Sequence, residues 1–221
     1  MTRHRTPEGH PAPARREARG TATIEFLVVA FAVLIPLVFG TLEFALLVVA
    51  RQNLGVATLL AARAGATGNG DRGAMRAALA RGLVPLYATR GAAAAFAASR
   101  LDAGRPDRTQ IEIWNPVPAS FTDFGVRVDG RVEIPNVWPR TRTRTGAASR
   151  QTMAEANQLG VRVSICRPLF FPITAPLFIA GLRLADSSPF ALSCYAQRGI
   201  VIRARALVHM HSPARRAAMA L

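Results

Sequence analysis

The sequence predicts an α+β, single-pass membrane protein in which a long amino-terminal helix packs on an antiparallel sheet. Three observations predict it. An apolar run extends from Thr21 to Ala50 and helix-forming residues continue to Ala66; helical spacing persists through residues 72 to 87; strict alternation appears later, in Val161 to Ile165 and Ile200 to Val208. A 3.6-residue repeat followed by a two-residue repeat marks helices and strands segregated along the chain.

The apolar run meets the length requirement of a membrane span. Between Glu25 and Glu43 lie 17 uncharged residues, and the apolar character continues to Ala50. About 20 such residues cross a ~30 Å hydrocarbon core at 1.5 Å per residue. A carboxylate inside hydrocarbon costs up to roughly 2.5–3.5 kcal/mol, so Glu25 and Glu43 mark contacts rather than filler. Their 18-residue spacing is five α-helical turns, about 27 Å, which places them on one face near the two edges of the core. The simpler alternative is that each reaches toward the headgroups. Pro36 and Gly40 lie inside the run and predict a kink or local melting.

Orientation follows from arginine asymmetry. The 20 residues before the span hold five Arg and the 20 after Ala50 hold two, which keeps the amino terminus cytoplasmic and exports the rest. The expected organisation is a basic cytoplasmic leader over 1–20, a transmembrane helix over 21–50 and an extracytoplasmic α+β domain over 51–221. A secretory signal would have a shorter apolar region followed by a cut among small residues on the outer face, whereas this run flows into more helix.

Beyond the membrane, Arg51 to Ala66 continues the helix with a narrow small-residue face of Leu54, Ala57, Ala61 and Ala64, suited to close helix packing. From Thr21 to Ala66 the helix measures about 69 Å. A Gly-Asn-Gly-Asp break precedes a second helix, Arg72 to Tyr87, with Met75, Leu79, Leu83 and Leu86 as its apolar stripe; Ala92 to Leu101 extends the helical layer. Gln110 to Trp114 and Val126 to Ile134 alternate like strands, with turn signals at Asn115-Pro116 and Asp129-Gly130. Arg140 to Ser149 has no apolar face and reads as an exposed loop. Pro168 to Leu182 is apolar but holds three prolines in nine residues, which predicts an irregular docked segment rather than a second span.

Charge and cysteine content narrow the function. The formal charge is +15, carried by 28 Arg and no Lys, and 23 Arg against 11 acidic residues remain without the leader. No recognition motif or aromatic-interleaved basic stretch supports nucleic-acid binding; the Ala, Arg and Gly excess fits GC-rich coding. A basic surface is attracted to anionic lipids or polyanionic envelope material. Cys166 and Cys194 both fall in the exported part, where disulfides persist; two buried thiols are the alternative. No catalytic triad order, phosphate-binding glycine loop or metal-ligand set stands out. His209 and His211, two apart on a predicted strand, lack further ligands, and Glu25 and Glu43 lie too far apart for paired acid–base work. Neither a catalytic residue nor a metal nor a cofactor is expected.

The stretch RGTATIEFLVVAFAVLIPLVFGTLEFALLVVARQNLGVATLLAARAGA resembles the amino-terminal region of TadE-like proteins, minor pseudopilins of tight-adherence (Flp-type) pilus systems. The features that carry the resemblance, over residues 19–66, are Gly20, the Glu25-Phe26 pair, Pro36, Gly40, Glu43 and Ala61-Ala62-Arg63. More weakly, IEIWNP, the Phe121-Thr122-Asp123-Phe124-Gly125 stretch, IPNVW and ARALVHMHSP are similar to carboxy-terminal regions of larger members. The resemblance implies a pilin-like fold and cleavage between Gly20 and Thr21 by a prepilin peptidase. It also implies that Glu25, Phe26 and Glu43 contact other subunits. Thr21 departs from the phenylalanine common at that place in type IVa pilins. The implied partners are other pilins and minor pseudopilins, an inner-membrane assembly platform and membrane lipid. The implied setting is the bacterial inner membrane, with the domain in the periplasm. A permanently anchored envelope protein whose basic outer domain binds lipid or polysaccharide is the alternative.

Overall fold

A computed structural model describes residues 21–137, 143–171 and 175–219. The leader, including Gly20, residues 140–142 of the predicted loop and Pro172 lie outside the described residues. The chain is α+β, with a long apolar amino-terminal helix and two small antiparallel sheets.

The helix begins as α1 (Thr21–Val29), passes through a π-helical turn (Ala30–Leu34) and continues as α2 (Ile35–Thr67). The irregularity expected near Pro36 takes the form of this π-helical turn, and the helix continues through Pro36 and Gly40. Proline cannot donate to, and its ring collides with, the carbonyl four residues earlier. The i→i+5 pattern just ahead of Pro36 absorbs that conflict inside an unbroken helix. The wider turn also offsets the phase between Glu25 and Glu43, so their 18-residue spacing no longer puts them on one face.

At its far end α2 terminates in a left-handed Asn69 (φ 58°), followed by Gly70 (φ 82°) whose N–H bonds to the Gly65 carbonyl at 2.8 Å. That six-to-one bond satisfies a terminal carbonyl. The Asp71 carboxylate then accepts from the Ala74 N–H at 2.6 Å and caps α3 (Arg72–Leu83). Its predicted stripe is buried at Met75, Leu79 and Leu83. Pro85 stands where the helix gives way to a 3₁₀ segment (Val84–Arg90), followed by α4 (Ala92–Gly104).

The strands follow: β1 (Thr109–Asn115), then α5 (Pro118–Phe124), β2 (Val126–Val128), β3 (Arg131–Ile134), α6 (Met153–Ala156) and β4 (Gln158–Pro168). The chain closes with α7 (Ala175–Ala185), α8 (Pro189–Ala196), β5 (Gly199–His209), β6 (Ala214–Arg215) and α9 (Arg216–Met219). One sheet has the order β1-β4-β5, all antiparallel, with Val161 opposite Ala206 and Val163 opposite Ala204. The other has the order β2-β3-β6. Its hairpin turns at Asp129 and Gly130, both at positive φ (50° and 74°), which is the type I′ geometry that matches strand twist.

The core forms where the second half of α2 packs with the first sheet and α3. Leu54, Ala57, Ala61, Ala62 and Ala66 pack with Leu159, Val161, Val163 and Ile202 from the sheet and with Leu79 and Leu83 from α3. Small residues set the spacing: a Cβ on Gly82 would lie 2.5 Å from Ala57 Cα. In β5, Ile200 and Ile202 are buried while Arg203, Arg205, Leu207 and His209 are exposed, the alternation of a half-buried strand. The end of α2 is fastened to the chain's last part, where His211 and Ser212 N–H groups donate to the Ala66 carbonyl at 3.0 and 3.1 Å.

The Pro168–Leu182 segment is more regular than its prolines predicted. Among its described residues, 169–171 are irregular, and α7 begins at Ala175 with Pro176 in the first turn. There the missing N–H has no intrahelical acceptor to lose.

Candidate functional site

The helix divides at Ala50. Thr23–Thr67 is long and apolar enough to cross a membrane, with mean hydropathy 2.4 over its best window and 6% of that window buried by the rest of the chain. The bulky residues of its first half, among them Ile24, Phe26, Phe31, Leu37 and Phe44, are exposed. From Ala50 onward the side chains facing the domain are small and buried.

The two carboxylates fall on opposite sides of this division in character. Glu25 is exposed, beside an exposed Phe26, and neither packs on the domain. Glu43 is fully buried, at 0% exposure. Its carboxylate accepts from the Phe170 N–H at 3.2 Å (Oε1) and 3.0 Å (Oε2), and from the Phe171 N–H at 2.9 Å (Oε2). One helical turn earlier, Phe39 stacks on Phe171 with ring centroids 4.8 Å apart. Glu43 is thus engaged within its own chain. The physical reason is that the chain leaves the sheet after Leu169, whose N–H still donates to the Arg198 carbonyl at 3.2 Å, and turns the next two amide N–H groups toward α2. A buried carboxylate satisfies them, and hydrogen bonds to a charged group contribute about 1.5–3 kcal/mol each. Phe39, Phe170 and Phe171 were not singled out from sequence, although Phe39 lies four residues before Glu43 and so shares its helix face.

Cys166 and Cys194 form a disulfide with Cα atoms 5.5 Å apart. The bridge fastens the end of β4 to α8. There Ile179, Ala191 and Tyr195 form a small apolar cluster with Leu169, Leu182 and Val201. Burial pushes the Tyr195 hydroxyl above its ordinary range, with nearby Asp186 adding to the effect. Asp186 itself is held below the usual carboxylate range, chiefly by the Ser188 N–H and then by Arg203, whose guanidinium lies 2.5 Å away.

The Phe121–Gly125 stretch is structural. Asp123 accepts from the Ser149 hydroxyl at 2.6 Å, the Ser149 N–H at 2.7 Å and the Ala148 N–H at 3.1 Å. The Ser149 hydroxyl, then its amide, then that of Ala148 hold the Asp123 carboxyl low. The end of the Arg140–Ser149 loop is therefore pinned rather than a loose linker. His209 ends β5, whereas His211 sits in the bend beyond it, so the two do not share a strand face. Among the described residues, no group of three His, Cys, Asp or Glu side chains converges to hold a metal.

The arrangement presents an exposed apolar helix, one exposed carboxylate near its start, and a domain fixed to its other end. No family model, curated protein or solved structure matches the chain.

Proposed function

We propose that this chain is a minor pseudopilin required to assemble or prime a Tad/Flp-type adhesive pilus, as the TadE-like features of residues 19–66 imply. Its first helix half spans the inner membrane, with the amino terminus cytoplasmic and the domain periplasmic. A prepilin peptidase removes residues 1–20. The observation that carries this reading is the bare first half of the helix, apolar on its surface and interrupted there by an exposed Glu25. An apolar helix left uncovered by its own domain needs lipid or other helices around it. Glu25 is placed to attract the new ammonium of Thr21 on a neighbouring subunit, a contact that gains in a low-dielectric setting.

Mass spectrometry of protein from native membranes tests the reading: the expected amino terminus is Thr21, and Gly20→Ala blocks its production. Glu25→Ala is expected to insert and be cut, yet fail to co-purify with pilus components. Recovery of an intact leader from wild-type cells would return the chain to a permanently anchored envelope protein whose basic domain binds lipid or polysaccharide.

A further inference from the structure

A cavity of about 560 Å³ opens where the exposed half of the helix meets the domain, between α2, the 3₁₀ segment, α4 and the end of β4. Arg105, Arg108 and Arg167 line it, with Asp102 as the one acidic side chain among its lining residues. Asp102 is already occupied by the Tyr87 hydroxyl, which donates to it. Burial, reinforced by Asp102, keeps that hydroxyl protonated well above the ordinary tyrosine range. Arg105 is engaged by Asp107, at 2.7 and 3.1 Å. Arg167 lies over the Phe170 and Tyr87 rings, 5.4 and 5.9 Å from their centroids, and reaches the Leu86 carbonyl at 3.5 Å. None of these three contacts neutralises its charge. Arg108 keeps a buried Nε that has no hydrogen-bond partner among the described residues, an arrangement that is costly unless an acceptor arrives.

The rim is of opposite character. Leu46, Val49, Leu101 and Phe170 line the same cavity and are 44%, 53%, 68% and 57% exposed. A guanidinium-lined interior with an apolar rim fits an amphiphile with an anionic head, and a free inorganic anion would gain nothing from the rim. Leu46 lies 21 residues after Glu25, about 31 Å along the helix. With Glu25 at the cytoplasmic edge of a ~30 Å core, the cavity stands at the outer headgroup level.

We infer that this cavity holds the phosphodiester headgroup of an anionic phospholipid from the outer leaflet, with Arg108 and Arg167 on the phosphate and Leu101 and Phe170 against the acyl stubs. Guanidinium forks suit phosphate oxygens, and basic pockets beside membrane helices recognise lipid heads in this way. The inference rests on the reading of the helix as a membrane span, but not on the pilus role.

The test uses the full chain in non-ionic detergent, titrated with dihexanoyl phosphatidylglycerol, dihexanoyl phosphatidylcholine and inorganic phosphate, binding being followed by native mass spectrometry. Saturable phosphatidylglycerol binding is expected, at least tenfold tighter than phosphatidylcholine and not displaced by equimolar phosphate. Arg108→Gln should weaken it tenfold or more, and Leu101→Asn, an exposed rim change that leaves the core alone, several-fold. Equal binding of the two lipids, displacement by phosphate, or unchanged binding in either variant overturns the inference. Flotation of the wild-type chain with phosphatidylglycerol vesicles after alkaline extraction separates the two levels. A chain that floats but shows no saturable binding sinks the cavity alone, whereas a chain that does not float removes the span on which the inference stands.

Discussion

The two halves of the long helix share one backbone conformation and have opposite surroundings. Before Ala50 the surface is Ile, Phe, Leu and Val, and it is exposed; after it, the face toward the sheet is Ala, Leu, Thr and Gly, and it is buried. Side-chain size separates them more than hydrophobicity does. Alanines let the sheet and α3 approach α2 closely, whereas the bulky first half leaves a wide apolar surface that its own domain does not cover. Both carboxylates lie before Ala50, yet Glu25 stays exposed and Glu43, just short of the boundary, is taken up by the domain's own backbone.

The largest expected effect tests that division directly. Leu54→Ala should destabilise the folded domain by about 2–5 kcal/mol, while Phe44→Ala, ten residues earlier and exposed, should stay within about 0.5 kcal/mol. Urea unfolding of the detergent-solubilised chain, followed by tryptophan fluorescence, measures both. Comparable losses would mean that the first half is packed after all.

Removing the Cys166–Cys194 bridge by double serine substitution should cost about 3–4 kcal/mol in the chain-entropy model, given its 28-residue separation. The loss is expected first around α7 and α8, read as faster amide exchange there, with α2 still protected. Thiol alkylation without reductant should label neither cysteine in protein taken straight from the envelope.

Glu43→Ala leaves the Phe170 and Phe171 amides without their acceptor, at about 1–3 kcal/mol for each buried group left unsatisfied. Glu25→Ala should leave domain stability unchanged. Equal effects on unfolding would erase the distinction between the two carboxylates.

Glycine substitutions sharpen the comparison further. Gly82→Ala drives a methyl to within 2.5 Å of Ala57 Cα and should cost about 1–3 kcal/mol by forcing α2 and α3 apart. Gly40→Ala meets no atom within 4 Å and should gain up to about 1 kcal/mol of helix propensity. Thermal midpoints of the two variants should therefore move in opposite directions.

The smallest effect is a pH response. The folded Asp123 carboxyl is held below its unfolded value, so its contribution is complete above the ordinary carboxylate range. It is lost as pH falls through the lowered folded value. Chemical shifts of Ala148 and Ser149 should titrate in that acid window, and Asp123→Asn should abolish the response. A midpoint at or above the ordinary aspartate value would show that the loop is not pinned by this carboxylate.

Much of the architecture was legible in the residues because it depends on local repeats. The apolar run, the Met75-Leu79-Leu83 stripe and the alternation of Ile200 to Val208 each declare an element and its buried face, and Asp129-Gly130 declares a hairpin. The Asp71 cap and the left-handed Asn69 equally follow from chemistry within a few residues. The two cysteines pointed to a bridge through count and compartment. One reading went astray because proline was weighed without its position: Pro176 falls in a first helical turn where it does no harm. The irregularity expected near Pro36 is a π turn rather than a break.

What the sequence alone determined, then, is which segments are helix or strand and which faces are apolar, since backbone sterics and side-chain periodicity act over a few residues. Tertiary structure decided the partners. Glu43 meets amides 127 and 128 residues away, Asp123 meets a loop 26 residues on, and Arg105, Arg108 and Arg167 reach one cavity from two separate segments. A charged side chain's energy depends on what desolvates it and what donates to it, and those groups come together only when distant segments pack.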